Sequence, residues 1–190
     1  MPSPNVSTGA SSGAARRTLR SETWYEGPEY YNFARRAYLR SEGLTREAFH
    51  GKPIIGICNS WSELNHCNIH LREVAEAVKR GVWAAGGVPL EFPTISLGEV
   101  FIRPTAMLLR NLMAMDVEES IRCNPVDGVV LLCGCDKTTP AQLMGAASAD
   151  VPSLFVTGGP MLSGNYRGEP KGSGTDGRKM FDLFRSGSLS

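Results

Sequence analysis

The chain has 190 residues, 42% of them hydrophobic and 21% charged, enough for one domain with a substantial core in which roughly 70% of the chain's surface is buried. Its net charge of +1 offers no field for nucleic acid or an anionic membrane, and no run of about 18 apolar residues exists to span a bilayer. Five cysteines without a hydrophobic signal segment argue against a secreted disulfide framework, so reduced thiols in a cytoplasmic compartment are expected.

The opening stretch, MPSPNVSTGASSGAARRTLRS, is rich in Ser, Gly, Ala and Pro and carries no acid before Glu22. Its only charges are Arg16, Arg17 and Arg20. Residues 1–22 are expected to form a flexible tail, although the same composition leaves mitochondrial import open. Residues 23–190 are expected to form one domain.

Residues 29–40 (EYYNFARRAYLR) read as a helix with Gly43 as its stop. PIIGIC, residues 53–58, is a short β-branched run and so a strand. Residues 59–68 are polar and loop-like. A helix is expected over 69–85, with Val74, Val78 and Val82 at i+4 spacing and Gly86-Gly87 behind it. VPLEFP (88–93) is a second strand. The loop TISLGEVFIR leads into a helix over 104–122, with Pro104 in its first turn. DGVVLLC is a third strand, 140–149 a short helix, and PSLFVT (152–157) a fourth strand ending in GGPMLSG. TDGRKMFDLFRSGSLS starts a helix and runs out into small polar residues. No internal repeat is present.

Strands that are short continuous apolar runs, alternating with helices, predict an α/β layered domain with a mainly parallel sheet. Ligands gather at the carboxyl ends of such strands. The unusual residues all follow a strand: Cys67 after the first, Glu99 after the second, Cys135-Asp136-Lys137 after the third, Gly158-Gly159 after the fourth.

Each has a plain structural reading beside the functional one. Cys133 closes an apolar run and reads as core, whereas Cys135 follows Gly134, where the chain can turn and present a thiol. Cys67 lies in the polar LNHCNIH, outside any strand, and thiolates favour iron or zinc. His66 and His70 are four apart and would share a helix face, as ligands or simply as first-turn residues. Glu99 and Asp136 are hard oxygen donors of the magnesium type, or solvated surface acids. Lys137 is a salt-bridge partner for Asp136, or a nucleophile if burial depresses its pKa. GGPMLSG exposes backbone N–H groups as an anion-binding loop does, without the GxxxxGK[ST] pattern of a P-loop.

NHCN, GEVF, GCDKTTPAQLMGAAS and FVTGGPMLSG, in that order, resemble the N-terminal part of the dihydroxy-acid and sugar-acid dehydratases. The resemblance covers residues 19–190. RSETWYEG, GVWAAGGVPLEFPTISLGE and FIRPTAMLLRNL are closer to the pentonate dehydratases, such as arabinonate or xylonate dehydratase, than to the dihydroxy-acid dehydratase of branched-chain amino-acid synthesis.

The resemblance implies dehydration of a 2,3-dihydroxy acid to a 2-keto acid, with an iron–sulfur cluster and Mg²⁺. Cys67 and Cys135 match two of three cluster ligands, with a two-iron cluster preferred to a four-iron one. Glu99, Asp136 and a carbamylated Lys137 match the magnesium site. Adjacent residues would thus face a soft metal and a hard one. The third cysteine and the catalytic base, a serine of a C-terminal domain, match nothing here. The chain is therefore expected to be an N-terminal fragment, inactive alone, of an enzyme that is homo-oligomeric when complete. Two rivals of other classes are a thiol redox or zinc protein using Cys133 and Cys135, and an anion-binding module built on GGPMLSG.

Overall fold

The computed structural model describes residues 18–159, 163–172 and 174–189. Four strands make one wholly parallel sheet: β1 (Ile54–Asn59), β2 (Val88–Pro93), β3 (Gly128–Cys133) and β4 (Ser153–Thr157), in the order β2-β1-β3-β4. Ile54 pairs with Val88, Ile55 with Gly128 and Val129 with Ser153. The expected α/β layering with a parallel sheet is what the chain builds.

Side chains on successive strand residues point to opposite faces, and the core divides accordingly. Ile54, Cys58, Val129 and Leu131 pack on one face with Met113, Val117 and Ile121. Ile57, Val130 and Leu132 pack on the other with Leu71 and Ala75. The first group of helical residues comes from α5 (Arg110–Arg122), which packs against α6 (Thr138–Ala149); the second comes from α4 (Leu71–Ala84). Ile54, Ile57, Leu131 and Leu132 are at most 1% exposed, and burying each such side chain contributes about 1.5–3 kcal/mol. The α5–α6 contact is close because Gly145 has no side chain: a Cβ there would lie 2.5 Å from the Ala114 carbonyl oxygen and 2.8 Å from Val117 Cβ.

The chain enters through α1 (Glu22–Tyr25), α2 (Tyr30–Ser41) and α3 (Arg46–Phe49), the first and last too short to leave a periodic signal. Residues 1–17 of the expected tail lie outside the described residues. Its last residues are pinned. The Arg20 guanidinium donates to the carbonyls of Arg122 (2.6 Å) at the end of α5 and of Asn124 (2.7 Å) and Val126 (2.9 Å) in the turn that follows it. The Asp127 carboxylate accepts from Ser21 N, Ser21 Oγ and Ile54 N at 2.7–2.9 Å. The tail boundary therefore falls earlier than residue 22, since one arginine and one serine suffice to anchor the entry.

Two other expectations shift. The stretch expected to be helical over 104–122 begins as a 3₁₀ turn, Ala106–Leu109, after Thr105 Oγ1 accepts from Met107 N, so Pro104 stands outside the helix. The helix α6 starts two residues before Pro140, because the hydroxyls of Thr138 and Thr139 bond back to the Gly134 carbonyl and Pro is tolerated in a first turn. After β4 come a small hairpin, β5 (Gly164–Tyr166) with β6 (Glu169–Lys171), which the sequence did not suggest, and α7 (Thr175–Arg185). No helix among the described residues is long and apolar enough to cross a membrane.

Candidate active site

Strand order makes the site. From β1 the chain moves outward to β2, and from β3 it moves the opposite way to β4. The chain directions therefore diverge at the carboxyl ends of β1 and β3, the position at which parallel sheets hold their ligands. Cys67 lies in the loop after β1, and Cys135 just past β3.

The loop after β1 is polar yet buried, and amides hold it together. Ser60 Oγ donates to the Leu132 carbonyl at 2.8 Å, binding the loop to β3. Asn65 Oδ1 accepts from Cys67 N at 3.2 Å, and Asn65 Nδ2 donates to Ser96 Oγ at 3.2 Å. Asn68 Nδ2 faces Ser60 O, Ser60 Oγ and Ser96 Oγ at 3.0–3.1 Å. Ser60, Asn65 and Asn68 are at most 1% exposed. Backbone and side chain together thus fix where Cys67 stands.

The thiols of Cys67 and Cys135 lie on the same side of the site. Both are half-buried and free, and Cys135 is near enough to influence the ionisation of Cys67. Desolvation first, and then the negative charges of Cys135 and Asp136, push the Cys67 thiol above its ordinary pKa. A thiol so placed favours its neutral form, and a cation bound beside it would draw it toward the thiolate.

Lys137 is 6% exposed and precedes the first residue of α6. Its Nζ donates to Asp136 Oδ2 at 2.7 Å and lies 3.1 Å from Glu99 Oε2. The Asp136 hydrogen bond, reinforced by Glu99, holds the lysine pKa up against its burial, and the same bond from Lys137 holds Asp136 down. Of the two readings of Lys137, the structure shows the salt bridge to Asp136, joined by Glu99, and these acids favour the charged lysine. Glu99 and Asp136 are each exposed, yet they converge on one positive centre.

Cys133 is fully buried in β3, as a core residue, and burial pushes its thiol up. The histidines do not pair. His66 is exposed, while His70 Nε2 bonds the Gly158 carbonyl at 2.9 Å and so ties α4 to the end of β4. Of the GGPMLSG loop, Pro160, Met161 and Leu162 lie outside the described residues. Among the described residues, no three His, Cys, Asp or Glu side chains gather closely enough to hold a metal. The site consists of a thiol pair and an acid–lysine–acid set, adjoining through Cys135 and Asp136. Sequence reading passed over Asn65, Asn68, Ser60 and Ser96, for which the polar run around NHCN was the only signal.

A family model described as "Dihydroxy-acid/6-phosphogluconate dehydratase N-terminal" matches residues 52–189. The chain is 54% identical to an L-arabinonate dehydratase of Rhizobium leguminosarum bv. trifolii, over 92% of this chain and 30% of that protein. It is 53% identical to a 6-deoxy-6-sulfo-D-gluconate dehydratase of Pseudomonas putida, over 90% of this chain and 30% of that protein. A dihydroxy-acid dehydratase of Pyrococcus abyssi is 43% identical over 70% of this chain and 25% of its own length. The chain thus spans less than a third of the length of these curated relatives.

Proposed function

Because this chain belongs to the dihydroxy-acid/6-phosphogluconate dehydratase family, whose N-terminal region it matches, we propose that it forms the metal-binding part of a hydro-lyase. The reaction we assign is removal of water from a 2,3-dihydroxy acid to give a 2-keto acid. The observation that carries this reading is the meeting, at one switch point, of a thiol pair with an acid–lysine–acid set. A sugar acid such as arabinonate or xylonate is favoured as substrate over a branched-chain dihydroxy acid, since an L-arabinonate and a sulfogluconate dehydratase match at 53–54% identity against 43% for a dihydroxy-acid dehydratase; a D-xylonate dehydratase, at 42%, does not separate the two.

The donors suit the groups assigned to them. Cys67 and Cys135 are soft donors near enough to interact, and Gly134 beside them adds no side chain. Glu99 and Asp136 are hard donors already directed at a positive charge. In this reading Cys67 and Cys135 hold two positions of an iron–sulfur cluster, preferably a two-iron one, and Glu99, Asp136 and a carbamylated Lys137 hold Mg²⁺. When bound, the cluster supplies a Lewis-acid iron for the departing 3-hydroxyl, and the magnesium a hard cation for the substrate carboxylate and 2-hydroxyl.

The chain's own residues do the positioning. Asn65 and Asn68 hold the Cys67 loop against β3, and Thr138 and Thr139 hold the Gly134 carbonyl so that Cys135 turns toward it. Carbamylation joins the Lys137 nitrogen to carbon dioxide with loss of two protons, one to free the amine and one on forming the carbamate, exchanging an ammonium for an anionic oxygen donor. The third cluster cysteine and the base are matched by no residue of this chain, so turnover is assigned to a longer protein, cytoplasmic and homo-oligomeric. The import reading of residues 1–17 draws no support from the fold or the relatives.

A redox or zinc role for Cys133 with Cys135 is disfavoured by burial, since Cys133 is 0% exposed and faces the core. The test is the full-length protein purified without oxygen, its visible absorption, iron and sulfide measured, and 2-keto acid formation assayed from pentonates and dihydroxyisovalerate with Mg²⁺. A brown protein that dehydrates pentonates, and turns colourless on Cys135→Ser, supports the reading. A colourless protein that binds zinc and tolerates Glu99→Gln refutes it.

A further inference from the structure

We propose that Asn68 is the positioning residue that sets the separation of the Cys67 and Cys135 thiols and locks it to the Glu99 loop, an inference that rests on the metal-site reading above. Asn68 is 0% exposed, and its one amide reaches the loops after all three strands that carry site residues. Its Nδ2 donates to Ser60 after β1 and to Ser96, three positions before Glu99, after β2. Its Oδ1 has no hydrogen-bond donor and lies against Gly134, next to Cys135.

The orientation of the amide is fixed. Ser60 Oγ spends its proton on the Leu132 carbonyl, and Ser60 O is itself an acceptor, so the nitrogen must face them. The oxygen is then turned toward Gly134. A Cβ on Gly134 would lie 2.1 Å from Asn68 Oδ1 and 3.0 Å from the Cys67 carbonyl oxygen. Asn68 Oδ1 and the Cys67 carbonyl thus both border Gly134, between the two thiol-bearing segments. Gly134 has no room to withdraw, because Thr138 Oγ1 accepts from its N–H at 3.2 Å and both threonine hydroxyls donate to its carbonyl.

A buried acceptor without a donor carries a desolvation cost that an apolar side chain of similar size would avoid. Asn68 bears that cost where its shape is the spacer between two thiols and its donor end holds the loop of the acid. The acceptor is explained by geometry rather than by stability.

The experiment uses the full-length protein in two states. In the metal-free state, bridging of Cys67 and Cys135 by dibromobimane is timed by fluorescence and located by mass spectrometry; in the cluster-loaded state, the electron paramagnetic resonance spectrum of the reduced protein is recorded. Asn68→Ala and the isosteric Asn68→Asp are expected to slow bridging about tenfold or more and to alter the resonance line shape. Gly134→Ala should do the same, and Asn68→Ala/Gly134→Ala should be no worse than Asn68→Ala, because the two groups act through one contact. His66→Ala, an exposed neighbour, should leave both readouts unchanged. If Asn68→Ala fails to give a cooperative melt, Ser96→Ala carries the test, with a smaller slowing in the same direction. Folded Asn68 variants with wild-type bridging and resonance would overturn the proposal while leaving the dehydratase reading intact. A wild-type protein that takes up no cluster, yet bridges slowly when Asn68 is changed, would remove the metal reading and keep the positioning role.

Discussion

Cys67 and Cys135, from different loops, come near enough for Cys135 to raise the pKa of Cys67, at the point where the chain directions of β1 and β3 diverge. Cys58 and Cys133 are sealed in the core, and Cys123 is exposed beyond α5. The five cysteines should accordingly separate by assay. Cys67→Ser and Cys135→Ser are expected to abolish iron and sulfide retention in the full-length protein while the melting temperature of the metal-free form changes little. Cys123→Ser should alter neither, within about 0.5 kcal/mol of stability. Iron analysis and thermal melts on the same preparations check this, and iron retained by Cys135→Ser contradicts it.

Glu99→Gln keeps the size of the side chain and removes its charge, leaving Lys137 with Asp136 alone. The full-length enzyme should then need at least about tenfold more Mg²⁺ for half-maximal activity, with its cluster absorption unchanged. A magnesium titration beside a visible spectrum separates the two sites. Equal loss of iron and magnesium would mean that the acid belongs to the cluster instead.

The Arg20 guanidinium serves three carbonyls, at the end of α5 and in the turn that follows it, within 3.0 Å. Arg20→Ala leaves those acceptors to water or to nothing, and should cost about 1–3 kcal/mol in urea unfolding. Arg20→Lys should recover only part of this, since an ammonium cannot span the fan of acceptors.

Gly145→Ala places a methyl 2.5 Å from the Ala114 carbonyl oxygen, which is backbone and has no room to yield. A loss of about 1–3 kcal/mol is expected, despite the better helix propensity of alanine. A neutral or stabilising result in thermal melts would show that α5 and α6 lie further apart than described.

Tyr25 is 6% exposed, and burial, its largest influence, raises the phenol pKa from 10.0 to about 12. The raised value means that the folded state favours the protonated phenol. The associated stability, about 2–3 kcal/mol, is complete below pH 10 and disappears as pH climbs through about 12. Urea midpoints measured from pH 8 to 12 should fall more steeply for the natural chain than for Tyr25→Phe.

Much of this architecture could be read from residue order, and the reasons are local. PIIGIC and GVVLLC are apolar without interruption because β1 and β3 are central and covered on both faces, and such strands announce themselves. The helix α4 was legible from its valines and its Gly86-Gly87 stop. The short α1 and α3, at four residues each, and the three-residue strands of the β5–β6 hairpin give no periodic signal. Cys67, Glu99, Cys135, Asp136 and Lys137 could be grouped by position, since each follows a strand, but only motif resemblance proposed roles for them, because single loop acids and thiols look like surface chemistry. Asn68 had no signal beyond the polar run around NHCN. A buried asparagine and an exposed one have the same neighbours in sequence, and only the closing of three loops around it makes the difference.

Cys135, Asp136 and Lys137 are consecutive, and α6 begins at the next residue. This constrains how the segment can vary over descent. Each residue added to or removed from a helix start rotates the adjoining side chains by about 100° about the helix axis. A one-residue insertion between Cys135 and Thr138 would swing the lysine away from Glu99, or the thiol away from Cys67, and no compensating substitution elsewhere would restore both. The loops carrying Cys67 and Glu99 are longer, so length changes there can be absorbed before the donors. The short link is thus a stretch where gaps are intolerable even if many substitutions are not. A scan of single-residue deletions through residues 60–66, 94–98 and 134–138 would reveal it as the segment with no functional survivors.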